Sequence, residues 1–60
     1  MKEQWFVDWL KDNQYSYWYE YNGNEVWVNT KHTLVWNEKL GVRFQIDHED
    51  YSEEYIQSLL

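Results

Sequence analysis

The sequence predicts an α+β domain: an N-terminal helix, an antiparallel sheet of three to four strands, and a C-terminal helix packed on one sheet face. Three observations support this prediction. Apolar residues recur at helical spacing near both ends of the chain, side chains between them alternate with a period of two, and an Asn-Gly pair marks a tight turn. We assign residues 1–60 to a single domain, because the chain contains no linker, repeat or low-complexity tract.

The first helix is predicted over residues 3–13. Its apolar stripe comes from four residues at relative positions i, i+1, i+4 and i+5, which are Trp5, Phe6, Trp9 and Leu10. Glu3 suits the positive end of the helix dipole, and Asn13 is a favourable residue for ending the helix.

A β-hairpin is predicted for the segment that follows. Residues 15–21 alternate with a period of two, which places four tyrosines on one face of the strand: Tyr15, Tyr17, Tyr19 and Tyr21. The other face then carries Ser16, Trp18 and Glu20. Asn22-Gly23 accepts the positive φ angles of a type I′ turn, and Val26 and Val28 alternate with Trp27 on the returning strand.

The stretch 31–47 permits two interpretations. In the first, residues 33–36 and 42–46 form separate strands, joined by a turn over 38–41 with Gly41 in the left-handed region. In the second, one long strand runs from Glu25 to Trp36, since six residues of this stretch share a parity: Val26, Val28, Thr30, His32, Leu34 and Trp36.

The last helix is predicted from Tyr51 to Leu60. Asp50 has the residue type of an N-cap, and Glu53 three positions later completes a capping box. The apolar face of this helix would consist of Tyr55, Ile56, Leu59 and Leu60. We expect both helices to pack on the same face of the sheet.

The composition predicts a protein that binds other proteins. Five Trp, six Tyr and two Phe occur in 60 residues that carry a formal net charge of −6. A chain this short buries only about 60% of the surface that its unfolded form exposes, so some rings lie at the surface, where rings usually serve contacts. Because no Cys can form a disulfide, we expect the excess rings to be buried in a homodimer.

Several function classes lack their sequence signatures. The chain has no Cys nucleophile, no glycine-rich phosphate loop, and no serine in a glycine-flanked elbow, so we expect no enzyme and no cofactor. His48 stands among acidic residues but without the pattern of a calcium loop, so no metal is expected.

The charge and the hydropathy pattern both argue against nucleic acid and membranes as partners. A negative field repels nucleic acid and anionic membranes, and no segment approaches the roughly 18 apolar residues of a membrane helix. We expect a soluble, cytoplasmic protein whose partner is basic.

Two groups of residues are candidates for partner binding. The aromatic group consists of Tyr15, Tyr17, Trp18, Tyr19, Tyr21 and Trp27, and the acidic group of Asp47, Glu49, Asp50, Glu53 and Glu54. Tyr and Trp supply stiff contact area, and carboxylates at helical spacing can imitate a phosphate backbone. Both groups also have ordinary explanations, because aromatic residues stabilise sheets and acids favour helix N-termini.

The chain resembles, in composition, the small acidic inhibitors that phages and mobile elements encode against host nucleic-acid enzymes and defence systems. It is short, lacks Cys and Pro, has an excess of acid, and contains the aromatic segment NQYSYWYEYNGNEVWVN. The resemblance implies an inhibitor that blocks a basic site on a host protein in the host cytoplasm. The alternatives are an assembly module that forms an obligate homodimer with no separate target, and a binder of small molecules through a Tyr/Trp cage.

Overall fold

The computed structural model describes residues 2–47 and 52–60 and confirms the α+β class. Its elements are, in chain order, α1 (Gln4–Asp12), β1 (Ser16–Tyr21), β2 (Asn24–Val28), β3 (His32–Asn37), β4 (Gly41–Asp47) and α2 (Glu53–Leu59). The four strands form one antiparallel sheet in the order β1-β2-β3-β4, so each strand pairs with its neighbours in the chain. In the described part of the chain, no helix is long and apolar enough to cross a membrane.

Helix α1 ends in a Schellman motif. The backbone N–H of Gln14 donates to the carbonyl of Lys11, and that of Tyr15 donates to the carbonyl of Leu10. This geometry requires a left-handed residue after the C-cap Asn13, and Gln14 takes that conformation with φ 62°. The helix therefore ends where the sequence predicts, although a residue other than glycine occupies the left-handed position.

The turns confirm the interpretation with four strands. Asn22 and Gly23 have φ angles of 52° and 81°, as a type I′ turn requires, and Gly41 has φ 75°. Strand β2 ends at Val28 and β3 begins at His32, so the alternative of one long strand from Glu25 to Trp36 is wrong. The side-chain amide oxygen of Asn29 accepts from the backbone N–H groups of Lys31 and His32 at 2.8 and 2.7 Å, which stabilises the reversal.

The sheet buries side chains on both of its faces. Leu34 and Trp36 of β3 cluster with Phe6 and Leu10 of α1. Val35, which lies between them on β3, clusters with other residues instead, namely Val26 and Ile56. Because successive side chains of a strand point to opposite faces, the two clusters lie on opposite sides of the sheet. We call the side with Leu34 and Trp36 the α1 face. The expectation that both helices use one face is therefore wrong, since Ile56 of α2 belongs to the cluster on the other side.

Helix α2 begins later than predicted. Its N-cap is Ser52, whose side chain accepts a hydrogen bond from the backbone N–H of Tyr55 at 3.3 Å. The predicted cap Asp50 lies outside the described residues, as does the predicted first residue Tyr51. Only Ile56 is completely buried in this helix, whereas Tyr55 and Leu59 are exposed, so the apolar face is narrower than expected.

A β-bulge interrupts strand β1. Tyr17 pairs with Trp27, but Tyr19 pairs with the adjacent residue Val26, so Trp18 is the extra residue. Every residue of β1 after the bulge therefore points to the face opposite to the one that simple alternation predicts. The predicted ladder of four tyrosines on one face is therefore wrong: Tyr15 and Tyr17 lie on the α1 face, while Tyr19 lies on the opposite face with Val26.

Candidate binding surface on the first hairpin

Four side chains meet on the α1 face of β1 and β2. Tyr17 is directly opposite Trp27 in the strand pairing, and Glu20 is directly opposite Glu25. The bulge at Trp18 brings them together, because without the extra residue Glu20 would point to the other side of the sheet. We call Tyr17, Glu20, Glu25 and Trp27 the hairpin patch.

In the aromatic half of the patch, Trp27 is held by the core and Tyr17 is exposed to solvent. The rings of Tyr17 and Trp27 make an edge-to-face contact, with 5.5 Å between centroids and 72° between planes. Trp27 packs against the core cluster on the α1 face, which fixes its position. Tyr17 is 53% exposed. The core thus supports a tyrosine whose ring remains available for contact.

The acidic half of the patch consists of two carboxylates, one of which pairs with Lys2. Glu25 Oε1 accepts from Lys2 Nζ at 2.7 Å and from Trp27 Nε1 at 3.0 Å. Glu20 is exposed and faces Glu25 across the strand pair. Like charges that face each other across two strands destabilise the pair, and Lys2 offsets only one of the two negative charges.

The ammonium group of Lys2 also contacts aromatic rings. Its Nζ lies 4.4 Å from the ring centroid of Trp36 and 5.7 Å from that of Trp27. The side chains of Lys2 and Glu25 are only 21% and 24% exposed, so their ion pair is partly shielded from water. This face of the sheet therefore already binds one cation through a ring and a carboxylate.

Tyr15 lies in the core and not on a contact surface. Only 7% of it is exposed, and its ring stacks on Trp9 with 5.5 Å between centroids. The hydroxyl oxygen accepts a hydrogen bond from Gln45 Nε2 at 2.5 Å. Burial raises the pKa of Tyr15 above its ordinary value, and the hydrogen bond from Gln45 opposes that effect.

The remaining aromatic candidates lie away from the hairpin patch. Trp18 and Tyr19 pack against the core cluster on the opposite face, and their rings meet at 86°. Burial, and then the negative charge of Glu53, raise the pKa of Tyr19. Tyr21 pairs with Asn24 at the end of the hairpin and is 38% exposed.

The acidic candidates do not form one row along a helix in the described part of the chain. Asp47 ends strand β4, where its carboxylate lies 3.8 Å from His32 Nε2. Glu53 and Glu54 occupy the first turn of α2, and Glu53 accepts from Gln57 Nε2 at 3.2 Å. Glu49 and Asp50 lie outside the described residues. Within the described ranges, no group of three His, Cys, Asp or Glu side chains could hold a metal ion.

Sequence reasoning found Tyr17 and Trp27 but missed the two carboxylates of the patch. A signal for them was present. A two-residue Asn-Gly turn fixes the strand register, and counting back from Asn22-Gly23 pairs Glu20 with Glu25. The position of Lys2 over Trp36 has no such signal, because it depends on how α1 crosses the sheet.

No protein-family model matches the chain, and no curated protein or solved structure matches it. Function is therefore inferred from the geometry of this surface.

Proposed function

We propose that this chain is a small protein-binding inhibitor, which docks on a basic surface of another protein and blocks it. The observation that carries the proposal is the hairpin patch, where the open ring of Tyr17 and the exposed carboxylate of Glu20 share one sheet face. Tyrosine is a frequent interface anchor because it offers a large contact area with few rotatable bonds.

The charge of the whole chain supports a basic partner. A formal charge of −6 on 60 residues creates a field that attracts cationic surfaces and accelerates encounter with them. Glu53 and Glu54 add exposed carboxylates at the start of α2. In this proposal the rings supply affinity, the carboxylates supply steering and specificity, and the bulk of the bound domain excludes the natural ligand.

A nucleic-acid-handling or defence protein of a host cell is the kind of target we propose. Such proteins present basic sites to bind phosphates, and an acidic inhibitor competes for those sites. The composition that resembles phage-encoded inhibitors favours this setting, which would place the protein in the cytoplasm of the host.

The test is affinity capture from a bacterial lysate treated with nuclease, at low and at raised salt, with three forms of the protein. The first is the wild type, and the second is the patch variant Tyr17→Ser/Glu20→Gln. The third is a matched control, Tyr55→Ser/Asp12→Asn, which alters an exposed Tyr of α2 and an exposed carboxylate of α1. We expect the wild type and the control to retain the same basic protein, raised salt to release it, and the patch variant to lose it.

Binding of the retained protein to its nucleic acid is then measured with and without the inhibitor. Retention of the same proteins by the patch variant, or nucleic-acid binding that is unchanged by the inhibitor, would contradict the proposal. If every form recovers only itself and its mass in solution is twice 7.6 kDa, the assembly module is the better description. The exposure of Trp5 and Leu40, 65% and 69%, is the observation that favours this second candidate.

A further inference from the structure

We infer that the hairpin patch recognises an arginine side chain of the partner, a conclusion that rests on the proposed function. The chain itself contains the first half of the argument. Lys2 shows that a cation binds on this sheet face between an aromatic ring, Trp36, and a carboxylate, Glu25. Both contacts are short, at 4.4 Å from Nζ to the ring centroid and 2.7 Å from Nζ to Oε1.

The outer side of the patch repeats the same chemistry with Tyr17 as the ring and Glu20 as the carboxylate. Their partners on β2, Trp27 and Glu25, are two residues apart, so Tyr17 and Glu20 are separated by about 7 Å along the strand. A guanidinium group that stacks on the tyrosine ring can reach a carboxylate at that distance. Among the described residues, the cation–π contacts are those of Lys2, and neither involves Tyr17.

The charge count of the patch favours a cationic occupant. Glu20 and Glu25 contribute two negative charges and Lys2 one positive charge, which leaves one negative charge on a half-shielded surface. A cation from a partner would offset the repulsion between the facing carboxylates, so binding gains free energy that the isolated domain lacks. An acidic peptide or a nucleic acid would increase the repulsion.

Arginine fits this arrangement better than lysine. Its planar guanidinium stacks on an aromatic face while its N–H groups donate to a carboxylate in the same plane, whereas an ammonium is a strongly hydrated point charge. The ring of Tyr17 contacts Trp27 at an interplanar angle of 72° and is 53% exposed, so much of it is accessible for stacking.

The test is a titration of the full chain with two peptides of equal length and charge, one of Arg and Gly and the other of Lys and Gly. Binding is followed by backbone amide shifts in nuclear magnetic resonance. We expect the arginine peptide to bind several-fold more tightly and to shift the amides of β1 and β2 most. Tyr17→Leu and Glu20→Gln should each weaken it about 2- to 5-fold, and the double variant about 10-fold.

Two controls make the result specific. Tyr55→Leu and Asp12→Asn remove a tyrosine ring and a carboxylate outside the patch and should leave the affinity unchanged. A urea midpoint shows that each variant is folded. Equal binding of both peptides, or loss of binding in the control variants and not in the patch variants, would overturn the assignment. If a lysate partner is still captured through the patch in that case, the proposed function stands and only the arginine inference fails. If neither the peptides nor a lysate partner bind, both fail.

Discussion

The hydroxyl of Tyr15 accepts a hydrogen bond from Gln45 Nε2 at 2.5 Å and so connects the residue before β1 to the last strand of the sheet. The Tyr19 hydroxyl on the other face is buried but has no hydrogen-bond partner among the described residues. The same chemical group therefore stabilises the fold at one position and costs free energy at the other.

Replacement of each tyrosine by phenylalanine separates these effects. Tyr15→Phe should lower the free energy of unfolding by about 0.5–1.5 kcal/mol, because it removes a satisfied hydrogen bond. Tyr19→Phe should leave that free energy unchanged or raise it by up to about 1 kcal/mol, because it removes an unsatisfied polar group. Urea unfolding of the two variants measures the difference, and equal losses would show that the Tyr19 hydroxyl has a partner in solution.

The same two residues predict a loss of stability in alkali. Burial raises the pKa of both Tyr15 and Tyr19 above the ordinary value of 10.0, so the folded state holds their protons more tightly than the unfolded state. This contribution is complete below pH 10.0 and is lost as the pH rises from there through the folded-state pKa values. Unfolding free energies at about pH 8 and pH 11 should differ less in the Tyr15→Phe/Tyr19→Phe variant than in the wild type.

Lys2 should contribute measurably to stability, because it contacts both a carboxylate and aromatic rings. Lys2→Met removes the ion pair with Glu25 and two cation–π contacts, so the charge of Glu25 loses its cationic partner. We expect a loss of about 1–2 kcal/mol in the free energy of unfolding. Lys39→Met, at an exposed position in the turn before β4, is the matched control and should change it by less than about 0.5 kcal/mol. Equal effects would show that net charge, and not the local contacts, is responsible.

Gln14 offers a stabilising substitution. Its φ of 62° is unfavourable for a residue with a side chain, and it is exposed after the end of α1. Gln14→Gly should raise the free energy of unfolding by about 0.5–1 kcal/mol, whereas Asp8→Gly within the helix should lower it by about 1 kcal/mol. Thermal unfolding of both variants provides the check, and a destabilised Gln14→Gly variant would contradict the assigned left-handed conformation.

Helix α2 has one strong attachment point. Ile56 is fully buried with Val26 and Val35, while Leu59, three residues later, is 41% exposed. Ile56→Ala should cost about 2–4 kcal/mol, and Leu59→Ala less than about 1 kcal/mol. In the Ile56→Ala variant, the amide hydrogens of α2 should exchange faster than in the wild type, since Ile56 fixes this helix to the core.

Most elements of the fold could be predicted because their signals are local. The spacing of Phe6 and Leu10 is helical, Asn22-Gly23 has few alternatives to a tight turn, and Gly41 marks the next one. The predicted start of α2 is too early because Asp50 and Ser52 are both good N-cap residues. The choice between them depends on the path of the chain.

The division of β1 between two faces could not be predicted from the residue pattern. Tyr17, Trp18 and Tyr19 are all aromatic, so a strand with or without the bulge buries similar side chains on either face. The alternation of residues therefore does not distinguish the register with the bulge from the register without it. Because the buried face of β1 could not be identified from the pattern, the position of Tyr15 in the core could not be predicted either. Of the hairpin patch, the sequence therefore indicates Tyr17 and Trp27, whereas the observed register is needed to place Glu20 beside them.

Both edge strands of the sheet contain an extra residue, Trp18 in β1 and Arg43 in β4. A flat, regular edge presents unpaired backbone groups, to which another chain can add as a further strand. Each bulge twists its edge and interrupts the regular series of donors and acceptors that an added strand needs. Neither edge of the sheet therefore offers a regular template on which a strand from a second copy of this aromatic-rich chain could add.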